Sequence, residues 1–275
     1  MASVGELVSA VDTAFEESAR GLPGWPDPYP ERQPPHEAYS RLTNPHRWRI
    51  LGARVEAWFK ALVDAGLAEI EAEIEVEWQE PPGTMATHTD RALPQAPGAL
   101  PLIVSRNRLR DVEDAGITLG VGDPTTVLLV TPDCGCDACD RGSQDALDEL
   151  DEHILSVVTG SFRKLTRGKR EITVISDGHR GSRGFGKYRR SLGYLMMGLN
   201  VRLRLGRFQG VVAPTSDYYV KSSRKILTRL PRIGVGVSFP WYRRRRRDEI
   251  DKILAHPKGW NELSGTAWFN EEKQV

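Results

Sequence analysis

The sequence predicts an α+β protein: a largely antiparallel sheet covered by helices on one face, followed by a basic, poorly assignable C-terminal segment. Three features lead to this reading. The segments 4–20 and 45–66 repeat apolar residues at helical spacing. The segment 69–78 alternates glutamate with apolar residues at period two. Short β-rich runs come next, and Gly122-Asp123-Pro124 between the last two reads as a hairpin turn.

The first helix carries Val4, Leu7, Val8, Val11 and Phe15 on one stripe. Six prolines in the fifteen residues Gly21–Pro35 exclude a helix or a central strand there. The second helix has Asn44 as its expected cap and Pro45 in its first turn. Trp48, Leu51, Val55, Trp58, Phe59 and Leu62 form its apolar face, and Gly66 ends it. Two tryptophans on such a stripe read as core anchors.

From Glu69 to Trp78, glutamates at 69, 71, 73, 75 and 77 define a solvated face, and Ile70, Ala72, Ile74, Val76 and Trp78 an inner one. Residues 79–98 read as a loop rich in Pro, Gly and Thr. Strands are expected at about 100–105, 117–121, 126–130 and 172–175. Between the last two, Ser143 is the expected cap of a helix reaching about Val158, with Leu147, Leu150, Ile154 and Val157 inward. A short closing helix is expected at 248–254. The organisation that follows is an N-terminal helix and Pro-rich arm (1–40), a core α+β domain with a cysteine loop (41–177), a basic Gly/Arg-rich insertion (178–247), and a closing helix with a Trp-containing tail that packs on the core (248–275).

Net charge over the 275 residues is +1, but the halves differ. Residues 1–160 hold 12 Lys+Arg against 28 Asp+Glu, a net of −16; residues 161–275 hold 26 against 9, a net of +17. Either the halves neutralise each other, or the basic half meets a polyanion. The N-terminus carries Glu6, Asp12, Glu16 and Glu17 where a secretory signal needs a basic start and an unbroken apolar core. No run reaches the ~18 uncharged apolar residues of a membrane span. A cytoplasmic protein without a transmembrane segment is expected.

The only three cysteines, Cys134, Cys136 and Cys139, lie within six residues, which excludes a secreted disulfide framework. In Pro132-Asp-Cys-Gly-Cys-Asp-Ala-Cys-Asp140 the three thiolates can converge on one soft or borderline metal ion such as zinc. Zinc takes four donors, so the fourth falls to Asp133, Asp137, Asp140 or His153. His153 lies about 13 Å up the following helix at 1.5 Å per residue. Cys136 and Cys139 also form a C-x-x-C between a strand and a helix, the place of a redox pair. Against this, three nearby aspartates would raise the thiol pKa. A tight turn of small residues with inert thiols is the third reading.

In the basic part, Arg180, Arg183, Arg189 and Arg190 interleave with Gly, Phe185 and Tyr188. Trp241-Tyr242 leads into Arg243, Arg244, Arg245, Arg246 and Arg247. Arginine forks suit phosphate and neighbouring aromatics suit bases, so nucleic acid is the candidate partner. An anionic membrane surface or internal pairing fits the same charge. No helix-turn-helix, zinc-finger or RNA-recognition motif accompanies it. There is also no dinucleotide fingerprint, Walker A loop, G-x-S-x-G or H-E-x-x-H, so no catalytic residue is nominated.

The runs Trp48–Arg54, Ile117–Pro124, Pro132–Asp140 with Gly142–Asp145, and Gly259–Gly265 resemble an actinobacterial domain-of-unknown-function family with a P-D-C-G-C-D-A-C-D motif. The resemblance covers about residues 40–177 and 248–269. It implies a bacterial, intracellular single domain and carries over no catalytic residue. The basic stretch between is expected to be private to this chain. The reading expected for the whole is a non-enzymatic cytoplasmic domain with a zinc-binding cysteine loop. The alternatives are a nucleic-acid-binding accessory protein and a thiol-disulfide redox protein.

Overall fold

The structure is a computed structural model and describes residues 3–176, 179–183 and 240–269. The first helix, α1 (Val4–Ser18), begins at a reciprocal cap. The Ser3 hydroxyl accepts from Glu6 N–H, and the Glu6 carboxylate accepts from Ser3 N–H at 2.7 Å. Leu7 and Val11 bury its apolar stripe. A 3-10 turn, Pro45–Arg49, leads into α2 (Ile50–Asp64). Asn44 does not cap it: its backbone is left-handed, φ 50°, and its side chain makes no capping bond.

Five strands form an antiparallel meander: β1 (Ala68–Glu71), β2 (Met85–Pro94), β3 (Leu102–Leu109), β4 (Val112–Val121) and β5 (Thr126–Thr131). Helix α3 (Ser143–Val158) follows. Next come β6 (Arg163–Arg167), β7 (Arg170–Ser176), β8 (His179–Arg183), helix α4 (Pro240–Ala255) and β9 (Asn261–Ser264). A second sheet has the order β8-β7-β6-β9. The α+β class holds, with an antiparallel core sheet. The chain divides into two compact units: Met1–Lys164 with Val174–Arg180 and Leu263–Val275, and Leu165–Thr173 with Gly181–Glu262. Among the described residues no helix is long and apolar enough to cross a membrane.

The core of the first unit joins α1, α2 and α3 to the sheet. Leu51, Val55, Trp58 and Leu62 of α2 meet Val104, Ile117, Leu119, Leu150 and Ile154 in one buried cluster. Trp48 and Trp58 are core residues, as their spacing implies. Trp58 is completely buried, and its indole N–H donates to Asp151 Oδ1 at 2.7 Å. The Arg54 guanidinium donates to the same carboxylate and to Asp12 of α1, so the half-buried Asp151 carboxylate of α3 is satisfied. Trp268 of the tail is buried, and its backbone N–H donates to Val158 O at 2.9 Å.

Four further local expectations fail. The alternating segment pairs antiparallel with β2 only over 68–71, because Glu73 adopts φ 54° and its N–H turns to the Asp90 carboxylate; farther on, a single parallel bridge joins Trp78 to Thr125. Beyond it the alternation survives as exposure, with Glu73, Glu75 and Glu77 outward and Ile74, Val76 and Trp78 half-buried. The supposed loop 79–98 contains β2, whose polar inward residues are paired across the sheet: Asp90 with Arg106 at 2.6 Å, Thr89 with Ser105 at 2.7 Å. Ser143 is the first helical residue rather than the cap, and its hydroxyl is bonded to Trp25. The closing helix starts at Pro240, so Arg243–Arg247 lie within it.

Candidate metal centre

The cysteine loop joins β5 to α3, in the first unit. Its path is set by backbone pairing to a distant segment: Asp137 N–H donates to Arg41 O at 2.8 Å and Ala138 N–H to Ala38 O at 3.2 Å. Cys139 N–H then closes a turn onto Cys136 O at 3.0 Å. Gly135 has φ 67°, and a Cβ there would stand 2.9 Å from the Leu109 side chain. The left-handed backbone favours Gly here, and an added Cβ would have to push the Leu109 side-chain tip aside.

Two aspartates of the motif fasten this turn. Asp137 accepts from Arg41 Nε at 2.7 Å, Thr43 N–H at 2.8 Å and the Thr43 hydroxyl at 2.7 Å. Burial opposes its charge, but the Thr43 N–H, the Arg41 guanidinium and the Thr43 hydroxyl outweigh it and hold the carboxyl below its ordinary range. Asp140 accepts from the Trp25 indole N–H at 2.9 Å and from Gly142 N–H, and pairs with Arg47 at 2.6 Å. The Arg47 guanidinium lies over the Trp25 and Trp48 rings, 5.0 and 5.9 Å from their centroids. Both carboxylates are buried.

Held in this way, the sulfurs of Cys134, Cys136 and Cys139 lie within 4.8 Å of one another. Cys134 and Cys136 are 3.3 Å apart, and all three are free thiols. Cys134 is exposed, Cys139 half-buried and Cys136 buried. Such a cluster can hold a metal ion. The thiols are unequal. Burial, then the two neighbouring thiols, push Cys139 far up; burial also raises Cys134. Burial works against the Cys136 thiolate too, but hydrogen bonds from Cys134, Cys139 and the Cys139 and Ala138 N–H groups bring it below the ordinary thiol value. The expected rise from aspartate charge is not the cause, since Asp137 and Asp140 are already engaged by Arg41 and Arg47.

His153 stands apart from the thiol cluster. It is buried on α3, where its Nδ1 hydrogen-bonds with Glu149 O at 2.6 Å. Asp133 is exposed. Arg180 and Arg183 fall on β8 and Arg243–Arg247 on α4; those side chains, and Arg189 and Arg190 altogether, lie outside the described residues. The roles of Trp25, Arg41, Thr43 and Arg47 have no sequence signal beyond the aspartates themselves, because their partners are 93 to 115 residues away.

A model described as a family of unknown function, DUF6226, matches residues 11–245. The match begins within α1, runs through the meander, the cysteine loop and on into the basic stretch, and stops before 248–269. It is therefore wider at the front than the resemblance read from the motifs, and includes the stretch that reading had set aside. No curated protein and no solved structure matches the chain.

Proposed function

The chain belongs to the family of unknown function DUF6226, and from its own geometry we propose a non-enzymatic, cytoplasmic domain whose cysteine loop holds a zinc ion. The convergence of three free thiols within 4.8 Å carries the reading. Zinc is the choice because it is borderline-soft, accepts thiolates and has no redox demand on the site. Clustered free thiols fit a reducing compartment. The ion would act as a cross-link in a turn that has almost no apolar side chains of its own. Cys134, Cys136 and Cys139 would be its ligands, and Asp137 and Asp140 would orient the loop from outside the ligand set.

Metal content and free thiols of the full chain, purified without a polyhistidine tag under reducing conditions, test this. The expected result is about one zinc per chain, lost in C136S, with thiols protected from titration until a chelator is added. Absence of metal with three freely titrating thiols overturns it. Absence of metal with one disulfide formed in air would overturn it in favour of the redox pair.

A further inference from the structure

We infer that the described residues supply three ligands to this metal and no fourth, and that the fourth position takes an exchangeable, neutral small donor from solution. The inference rests on the metal reading above and goes beyond it, since a structural zinc site is closed by four protein ligands whereas three leave a position open.

The carboxylates nearest in sequence are committed elsewhere. Asp137 uses Oδ1 for Thr43 N–H and Oδ2 for Arg41 and the Thr43 hydroxyl. Asp140 uses Oδ1 for Gly142 N–H and the Trp25 indole, and Oδ2 for the indole and Arg47. Turning either one to a metal would break several buried charge-assisted bonds and strand an arginine. Among the described residues, the donors that converge on the site are the three thiols alone. Exposure of Cys134 leaves that side of the cluster in contact with solvent.

Charge selects the kind of fourth donor. Three thiolates around a divalent ion leave the site with a net charge of about −1, and Asp133, also exposed, adds to the negative field. A further anion is disfavoured there. A neutral oxygen or nitrogen donor, such as water or an imidazole, is not.

The test replaces zinc with cobalt(II) in the full chain and follows its d–d absorption during titration with imidazole, then with chloride. The expected result is one cobalt per chain, with a saturable band shift on imidazole through isosbestic points and little response to chloride. H153Q and D133N are expected to leave the starting spectrum and the shift unchanged. A spectrum indifferent to imidazole, or one altered by H153Q or D133N, places the fourth ligand on the protein and overturns the inference while leaving the metal site intact. Absence of one-to-one cobalt uptake, or uptake that survives C136S, overturns the metal reading and this inference with it.

Discussion

The contact between α2 and α3 and the cysteine loop hold the first unit by opposite means. At the helix contact, Trp58, Leu51, Leu150 and Ile154 are wholly buried, and one polar group, Asp151, is satisfied by Arg54 and Trp58. In the loop 132–142 the residues are Gly, Ala, Cys, Asp and little else. There, Asp137 and Asp140 reach residues 41–47 and Trp25, and these bonds do the fixing that apolar area does in the core. The lesson is one of redundancy. An apolar cluster shares its stabilisation among many neighbours, whereas the loop depends on a few polar bonds whose loss leaves buried groups unpaired.

Four perturbations sharpen that contrast, and the largest is W58A. Truncating this buried indole removes core volume and leaves the Asp151 carboxylate short of a donor; a loss of about 3–5 kcal/mol in global stability is expected by chemical denaturation. The thiol cluster should persist in the folded fraction. Second is D140A, which frees the Trp25 indole and Arg47 in a buried setting and is expected to cost about 1–3 kcal/mol. Amide exchange should rise across 132–142 before it rises in α2. An equal rise in both regions would mean that loop and core open together, which would end the comparison.

G135A comes third. Its φ of 67° strains any L-residue by about 1–2 kcal/mol, and the added Cβ meets Leu109. Thiol titration rates are expected to increase at Cys134 and Cys136 while the melting temperature falls only a few degrees. The smallest effect concerns neither region. Glu6 is exposed, and its pKa is lowered by the Ser3 N–H and then the Ser3 hydroxyl. Its capping contribution is therefore present above its ordinary value of 4.5 and is lost as pH falls through the lowered folded value. Faster amide exchange at residues 4–7 in mild acid, absent in E6Q, is the expected sign.

What could be read from the sequence follows from the range over which each signal acts. The three helices of the first unit were legible because helical periodicity is local, and Leu147, Leu150, Ile154 and Val157 are the buried stripe of α3. The cysteine cluster was legible because its members lie five residues apart at most. Strand β2 was not, because Thr89 and Asp90 read as loop residues until Ser105 and Arg106 of β3 pair with them. The reverse error occurred at 72–78, where alternation is real but the left-handed Glu73 takes the chain out of the ladder.

By itself, the sequence determined the α+β class, the apolar faces of the helices and the candidacy of Cys134, Cys136 and Cys139, because each is encoded by neighbours within a few turns. Only the tertiary structure decided what the motif's aspartates do. Read along the chain, Asp137 and Asp140 are two more potential ligands beside three thiols. In the fold they are anchors, since the arginines and the indole that neutralise and orient them arrive from segments about a hundred residues earlier. A carboxylate's role is set by which cation or N–H reaches it first, and that is a property of packing.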